Sequence, residues 1–286
     1  MNRHPEWLKV RAPGGPGFVE TLRTVKALGL HTVCEEAHCP NIGECWGHRT
    51  ATFMLLGDTC TRRCSFCAVK HGRPLVVDPE EPERVARAVA ALGLRHVVVT
   101  SVDRDDLPDG GAAHFAATAR AIKDAIPDCR IEVLVPDFRG TAETSVDTVV
   151  ASPIDVFGHN VETVPRLYRV ARPGARYDGS LEVLRAARAI RPGCLTKTGL
   201  MLGLGETWEE LVRVFEDLRG IGCEILTLGQ YLRPSASHLA IERYIPPEEF
   251  AALKERALDL GFRHVESGPL VRSSYHAWAH VPQNGA

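Results

Sequence analysis

Cysteine is the residue type through which this sequence could do chemistry. The chain has 286 residues and nine cysteines, and six of the nine lie between Cys34 and Cys67. The first fifteen residues carry charges and no apolar stretch, so no secretory signal is expected there. The expected location is therefore the reducing cytoplasm, where grouped thiols more often bind metal or react than form disulfides.

The downstream cysteine loop, Cys60 to Cys67, has the spacing CX3CX2C. Its three thiolates can hold a cubane iron–sulfur cluster, which normally takes four, and one iron then stays open. An open iron can bind the amine and carboxylate of S-adenosylmethionine, and one electron can then release an adenosyl radical. Zinc and plain thiols are the alternatives. The position after a predicted strand and the aromatic Phe66 favour the cluster.

The upstream cysteine loop, Cys34 to Cys45, has the spacing CX4CX5C through Cys39. It could form a zinc site with His38 or His48 as the fourth ligand. Its position just before an open-iron motif favours a second iron–sulfur cluster. The three remaining cysteines are scattered along the chain and are expected to be small buried side chains: Cys129, Cys194 and Cys223.

Alternating strands and helices must position these loops. Six short apolar runs predict strands at 51–57, 96–102, 130–136, 154–160, 195–202 and 224–232. Segments of helical period lie at 82–92, 112–126, 181–190, 208–218 and 248–260. This alternation is typical of βα units around a parallel sheet, and it leaves a doubly wound sheet and an incomplete barrel both open.

Polar residues follow two of the predicted strands. Ser101 ends the second strand, and Asn160 and Glu162 follow the fourth. In both architectures ligands bind at the carboxyl ends of parallel strands, although polar groups there are often satisfied by the protein itself. His159 is expected to be a satisfied core histidine.

The sequence resembles the lipoyl synthases of the radical S-adenosylmethionine superfamily. The downstream cysteine loop matches the superfamily signature. Four further segments match lipoyl synthases: the upstream cysteine loop, residues 51–58 (ATFMLLGD), residues 100–111 (TSVDRDDLPDGG) and residues 272–275 (RSSY). The resemblance runs from residue 5 to residue 276 without a departure at the motif positions. The terminal RSSY argues against methylthiotransferases and biotin-synthase-like enzymes, which are the nearest rivals.

The resemblance implies an α/β fold, a partial (β/α)6 barrel of the TIM type with irregular N- and C-terminal extensions. The expected divisions are an N-terminal extension at 1–50, the barrel at 51–245, and a C-terminal helix and tail at 246–286. The tail is expected to close on the upstream cysteine loop.

The resemblance also implies a reaction and its cofactors. Two adenosyl radicals remove hydrogens from C6 and C8 of an octanoyl chain on a carrier lysine, and an auxiliary cluster supplies both sulfurs. The implied cofactors are two [4Fe–4S] clusters and S-adenosylmethionine. The catalytic cluster takes Cys60, Cys64 and Cys67, and the auxiliary cluster takes Cys34, Cys39, Cys45 and Ser273, the first serine of RSSY. The expected contacts to S-adenosylmethionine are Ser101, Asn160, Glu162 and Gly199.

The implied partners are octanoylated carrier domains, from E2 subunits of 2-oxoacid dehydrogenases and the H protein of glycine cleavage. An electron donor such as ferredoxin or flavodoxin and an iron–sulfur carrier for cluster repair are also implied. The 34 basic and 36 acidic side chains give no support to a nucleic-acid or membrane partner. A zinc-stabilised binding protein without catalysis is the alternative of a different class, and iron and sulfide in an anaerobic preparation would exclude it.

Overall fold

A computed structural model of the chain describes residues 5–10, 12–48 and 50–280. The outer ends of the predicted divisions at 1–50 and 246–286, and position 49, therefore lie outside the described residues. The helices are α1 Pro16–Ala27, α2 Val33–Glu36, α3 Ile42–Gly47, α4 Glu81–Leu92, α5 Ala112–Ala125, α6 Ala142–Val150, α7 Tyr168–Ala171, α8 Tyr177–Ile190, α9 Trp208–Gly220 and α10 Pro247–Asp259. The strands are β1 His31–Thr32, β2 Thr52–Leu55, β3 Thr59–Cys60, β4 Lys70–His71, β5 His96–Ser101, β6 Arg130–Leu134, β7 Val156–Gly158, β8 Leu195–Leu202, β9 Ile225–Gln230 and β10 His264–Gly268.

One eight-stranded sheet organises the chain, in the order β1-β2-β5-β6-β7-β8-β9-β10. Every neighbouring pair from β2 to β10 is parallel, and β1 adds an antiparallel edge to β2. In the part of the chain that the structure describes, the sheet's two edges do not pair, so the barrel is partial. The predicted fold class is confirmed, and each of the six predicted strands is present.

The strands are buried on both faces because helices cover the outside of the sheet. Val97, Val98 and Val99 of β5 are all buried, as the continuous β-branched run predicts for a strand between two packed layers. Helices α4 and α5 pack side by side on the outer face. Gly111 allows α5 to begin there, because a Cβ on it would lie 2.4 Å from the Leu56 side chain, just after β2.

The C-terminal segment contains a strand that the sequence analysis did not include. Strand β10 pairs in parallel with β9 and is the seventh parallel strand of the sheet. The tail, residues 269–280, then crosses the open side of the barrel. Val271 lies against Gly229 of β9, and Ser274 accepts a 2.8 Å hydrogen bond from Thr52 of β2. The tail therefore spans from strands near one edge of the sheet to a strand near the other.

No helix within the described ranges combines the length and the apolar composition needed to cross a bilayer.

Candidate active site

A cavity of about 770 Å³ lies at the carboxyl ends of the parallel strands. The downstream cysteine loop forms one wall, and His38 and Pro40 of the upstream cysteine loop form another. Arg272 and Ser273 of the tail also line it. A single cavity of the size typical for small-molecule sites thus touches both cysteine loops and the tail.

Backbone hydrogen bonds fix the downstream cysteine loop to the end of β5 and to α7. The Thr61 amide donates to the Asp103 carbonyl at 3.0 Å, and the Ser65 amide donates to the Ala171 carbonyl at 2.9 Å. The Arg62 amide donates to Cys60 Sγ at 3.4 Å. Cys60, Cys64 and Cys67 all line the cavity, as three ligands of one group must.

A buried guanidinium holds this loop to three carboxylates that follow β5 and β6. Arg62 lies 2.7 Å from Asp105, 2.6 Å from Asp137 and 3.5 Å from Asp103. One Asp103 oxygen is 3.9 Å from Cys60 Sγ. Burial raises the pKa of Asp103 to about 6, against the opposing effect of Arg62. Sequence analysis missed Arg62, because a single arginine between cysteines gives no pattern.

Burial is the main influence on the downstream thiols. Burial raises the pKa of Cys64 to about 12 and that of Cys67 to about 11, and it also raises the pKa of Cys60. Free thiols here would stay protonated near neutral pH. Thiolates in this position therefore require a strong positive charge beside them, which bound iron provides.

The upstream thiols have similar surroundings. Burial is the largest cause that raises the pKa of Cys34 to about 11 and the pKa of Cys45 to about 12. The negative charge of a Cys39 thiolate raises both pKa values further. Burial raises the pKa of Cys39 as well, and Arg272 is the cation that lowers it. The three thiols therefore face a common space.

The spacing of the sulfurs bears on the zinc alternative. Thiolates that share one zinc ion lie about 3.8 Å apart, since each Zn–S bond is about 2.3 Å. Within the described ranges, neither cysteine loop brings three Cys or His ligand atoms within 4.8 Å of one another. A larger group such as a cubane cluster suits that wider spacing better than one zinc ion does.

The two serines of the tail face different surroundings. Ser273 Oγ accepts a 3.2 Å hydrogen bond from Asn160 Nδ2 and lines the cavity. Ser274 instead faces Thr52, outside the cavity lining. Of the two serines, only Ser273 lines the cavity, whereas the thiols of Cys34, Cys39 and Cys45 are not part of that lining.

The tail is also tied to the upstream cysteine loop. Asn41 Nδ2 donates to the Leu270 carbonyl at 2.7 Å, and the Tyr275 hydroxyl donates to Glu44 at 3.1 Å. These contacts hold the tail across a loop more than two hundred residues away in sequence.

The four residues expected to contact S-adenosylmethionine all line the cavity: Ser101, Asn160, Glu162 and Gly199. Ser101 Oγ and Asn160 Oδ1 are buried and have no hydrogen-bond partner among the described residues. Buried polar atoms are normally paired, so these two atoms point to a ligand that completes them.

Backbone geometry explains two of these positions. Glu162 has φ +71°, a costly conformation for a non-glycine residue, and its backbone still pairs with Gly199 and Met201 of β8. A Cβ on Gly199 would lie 2.7 Å from Thr227 Oγ1 and 3.0 Å from Asn160 Oδ1. Glycine here therefore makes room for the Thr227 and Asn160 side chains.

Arg172 is a cavity residue that sequence analysis missed. Its buried guanidinium donates to the Asn160 carbonyl at 2.9 Å. It acts electrostatically on both Glu162 and Cys64, lowering the pKa of each carboxyl or thiol group against the effect of burial. Nothing in the surrounding sequence singles out this arginine, since its role depends on how α7 packs beside the downstream cysteine loop.

The residues predicted to have only a structural role are buried in the core, as expected. His159 contacts the Val135 carbonyl at 2.9 Å and Ser180 Oγ at 3.0 Å, so both ring nitrogens are satisfied in the core. The three scattered cysteines are buried: Cys129, Cys194 and Cys223.

Comparison with known sequences gives a consistent result. Residues 54–218 match the radical SAM superfamily, and residues 1–39 match the N-terminal domain of lipoyl synthase. Lipoyl synthase of Rubrobacter xylanophilus is 61% identical over 273 residues, which cover 96% of this chain and 85% of that protein. Lipoyl synthase of Methylococcus capsulatus is 60% identical over 96% of this chain and 85% of its own length. That of Roseiflexus is 57% identical over 98% and 92%.

Solved structures are similar in fold alone. Methylornithine synthase has a TM-score of 0.53 at 16% identity, covering 86% of this chain and 81% of its own. A maturase of the [FeFe]-hydrogenase has a TM-score of 0.58 at 14% identity, covering 82% and 63%. Streptococcus suis SuiB bound to precursor peptide SuiA has a TM-score of 0.59 at 11% identity, covering 94% and 58%.

Proposed function

This chain belongs to the lipoyl synthase family of the radical S-adenosylmethionine superfamily, and from that premise we propose that it inserts two sulfur atoms into an octanoyl chain. The sulfurs enter at C6 and C8, and the octanoyl chain is carried as an amide on a lysine of a carrier domain. The observation that carries the proposal is the single cavity that touches both cysteine loops and the tail. An acyl chain in that cavity would lie between the source of the radical and the source of the sulfur.

Membership in the superfamily implies an iron–sulfur cluster and S-adenosylmethionine, and the residues present fit them. Cys60, Cys64 and Cys67 would hold the catalytic cluster. The auxiliary cluster, which is consumed as the sulfur donor, would take the upstream cysteines and Ser273. When bound, the catalytic cluster and S-adenosylmethionine supply the radical that removes hydrogen from the acyl chain.

The chain's own residues would bind and orient S-adenosylmethionine. Ser101 and Asn160 offer the buried polar atoms that lack partners. Arg172 offers a buried guanidinium, which suits a carboxylate, and Glu162 offers a carboxylate on the same wall. Burial raises the pKa of Glu162, while Arg172 and then Asn160 act to lower it.

The cavity also suits an apolar substrate. Apolar side chains form part of its lining, beside charged groups such as those of Asp103 and Glu162: Val33, Met54, Val102, Leu134, Leu200 and Val271. Such a lining excludes water from a reactive radical. A carrier domain is far larger than the cavity, so it would dock outside and extend only its acylated lysine inwards.

The proposed partners follow from that reaction. The carrier domains are those of 2-oxoacid dehydrogenase E2 subunits and the glycine-cleavage H protein. A ferredoxin or flavodoxin would supply electrons, and an iron–sulfur carrier would restore the auxiliary cluster after turnover.

Two triple variants test the assignment of roles. With Cys60, Cys64 and Cys67 changed to Ala, we expect the auxiliary iron to remain and cleavage of S-adenosylmethionine to stop. With Cys34, Cys39 and Cys45 changed to Ala, we expect cleavage to continue and sulfur insertion to stop. Each variant is incubated anaerobically with reductant, S-adenosylmethionine and an octanoylated carrier peptide, and the peptide is measured by mass spectrometry.

Cys129→Ala is the matched control, because this buried thiol lies away from the cavity lining. It should keep both clusters and both reactions. A lipoylated product from the upstream triple variant would show that the sulfur donor is assigned wrongly. A colourless preparation with two zinc ions and no sulfide would instead support a binding protein without catalysis.

A further inference from the structure

A second group of polar side chains lies at the opposite end of the barrel from the cavity. His96 and His264 are the first residues of β5 and β10. Glu132 of β6 and Lys197 of β8 are each 2% exposed and form an ion pair at 2.6 Å. The last described turn of the tail, Ala277–Ala279, packs against β5 and brings His280 into this group. The proposed function uses none of these residues.

Two of these histidines and the nearby Glu266 bring their side chains close together. The ligand atoms of His264, Glu266 and His280 all lie within 4.8 Å of one another. His264 Nε2 is 3.5 Å from a Glu266 carboxylate oxygen, and the rings of His264 and His280 have centroids 4.5 Å apart. Glu266 is on the same strand as His264, two residues later, so both side chains project to the same face of β10.

The histidine nitrogens at this point lack hydrogen bonds among the described residues, although His264 Nε2 lies near the Glu266 carboxylate. Both ring nitrogens of His280, which is 2% exposed, and Nε2 of His264 are buried without a hydrogen bond among the described residues. Leaving buried polar atoms unpaired is costly, and native structures rarely leave three together. Burial, with Lys197 as the next cause, lowers the pKa of His280 to about 2, so its imidazole is neutral and its lone pair is available.

The electrostatic balance also leaves room for a cation. Lys197 would repel one, but its ammonium is already paired with Glu132. Glu266 then remains as the carboxylate that faces the two imidazoles. Two imidazoles and one carboxylate form a donor set that zinc takes in proteins.

We propose that His264, Glu266 and His280 bind one divalent transition-metal ion, with Zn²⁺ the best match, at the end of the barrel opposite the cavity. Ligands on a tetrahedral zinc lie about 3.3 Å apart, since Zn–N and Zn–O bonds are about 2.0–2.1 Å. The 3.5 Å between His264 Nε2 and the Glu266 carboxylate is close to that value. Rotation of the His280 side chain would bring its ring nitrogen to the same distance from the other two ligands. Water supplies the fourth ligand, because the His264 and Glu266 side chains stay 28% and 23% exposed.

The ion would join β10 to the far end of the tail that carries Ser273. The tail's near end is already tied to Asn41 through the Leu270 carbonyl. A metal at His280 would therefore fix the second end of the same segment.

The experiment uses the enzyme with both iron–sulfur clusters assembled. One equivalent of Zn²⁺ is added, weakly bound metal is removed on a desalting column, and zinc and iron are measured by mass spectrometry. Zinc K-edge absorption then reports the zinc ligands separately from iron. We expect about one zinc ion per chain, with only nitrogen and oxygen neighbours at about 2.0–2.1 Å and no sulfur shell.

Variants identify the ligands. His280→Ala and Glu266→Gln should each lower zinc retention at least tenfold while iron content stays unchanged. His31→Ala, which changes a half-buried histidine beside Glu36 and far from this site, should retain the ion. Glu266→Gln keeps the side chain's shape, so it remains informative if His280→Ala loosens the tail.

Three results would overturn the proposal. The first is a desalted enzyme without zinc. The second is a zinc spectrum with sulfur neighbours at about 2.3 Å, which would place the ion on the cysteine loops. The third is zinc retention in the His280→Ala and Glu266→Gln variants that equals that of the parent enzyme.

Discussion

Ser273 and its neighbour Ser274 have different hydrogen-bond partners. Ser273 faces Asn160 across the cavity, whereas Ser274 is occupied by Thr52. A serine oxygen is a hard ligand for iron, which in these clusters normally takes soft thiolates. Serine also holds its proton more tightly than cysteine, whose ordinary pKa is about 8.5. An Fe–O bond should therefore open more readily on protonation than an Fe–S bond.

Ser273→Cys should accordingly assemble a normal or sturdier auxiliary cluster and insert sulfur poorly. Iron and sulfide content, measured beside the product of a single turnover, checks this expectation. Ser274→Ala is the matched control and should have a mild effect. Full insertion of two sulfurs by Ser273→Cys would contradict the role of the weak ligand. Loss of the auxiliary cluster in Ser274→Ala but not in Ser273→Ala would show that the other serine is the ligand.

Arg172 carries a second prediction at this scale. If its guanidinium binds the carboxylate of S-adenosylmethionine, Arg172→Met removes a charge-assisted hydrogen bond worth about 1.5–3 kcal/mol. The dissociation constant for S-adenosylmethionine, measured by equilibrium dialysis, should then rise roughly 10- to 100-fold, since each 1.4 kcal/mol is tenfold. Arg169→Met changes an exposed arginine of α7, three residues before Arg172, and should leave binding unchanged. Unaltered binding in Arg172→Met, with iron content intact, would remove Arg172 from the site.

The sequence singles out the candidate cysteines better than the candidate arginines. The spacing of ligand cysteines is a local pattern in the sequence, so both cysteine loops are recognisable from the order of residues alone. Arg62 and Arg172 act through partners on other elements, Asp137 and Glu162 among them, and no local spacing reveals such pairs. Gly199 is expected from the resemblance to contact S-adenosylmethionine. In the structure, its missing side chain makes room for Asn160.

At the scale of elements, the tail depends on a few anchors. Asn41 is 3% exposed, and its side chain holds the Leu270 carbonyl. Asn41→Ala leaves that carbonyl without its donor and should cost about 1–3 kcal/mol locally. We expect faster hydrogen exchange across residues 269–280, measured by mass spectrometry, with exchange in β5 and β6 unchanged. Tyr275→Phe, which removes an exposed contact to Glu44, should have a smaller effect. Equal exchange in Asn41→Ala and the parent chain would show that other contacts hold the tail.

The predicted elements are correct where burial leaves a clear pattern. The apolar runs of β5 and β8 predict strands because both faces of these strands are covered. Strand β10 escapes prediction because His264 and Glu266 alternate with apolar and small residues and face the polar end of the barrel. Helix α6 is also not predicted, although Val146, Val149 and Val150 on it are buried. The path of the tail rests on contacts between residues far apart in sequence, which no local period records.

At the scale of the whole molecule, the Glu132–Lys197 ion pair lies inside the barrel. Burial alone lowers the pKa of Lys197, and Glu132 opposes that effect. Lys197→Met should destabilise the cluster-free chain by about 3–5 kcal/mol, because it leaves the buried Glu132 carboxylate with only the His96 ring, 3.7 Å away, beside it. Adding Glu132→Leu should recover most of that loss, since well-packed apolar pairs often replace buried ion pairs at no cost. Urea unfolding followed by fluorescence, in the presence of a chelator, measures both variants. A double variant as unstable as Lys197→Met would show that the two side chains contribute to stability beyond neutralising each other's charge.

The crossing of the tail over the upstream cysteine loop has a consequence for biosynthesis. Residues 34–45 leave the ribosome early, but Ser273 is made more than two hundred residues later. If Ser273 completes the auxiliary site, a nascent chain offers three thiols and no fourth ligand until its final stretch has been translated. Assembly factors would then load that cluster only after synthesis. A chain stopped anywhere between Cys67 and Ser273 would carry all six clustered cysteines and still be unable to finish the site, so truncated products would fail at maturation and not at catalysis.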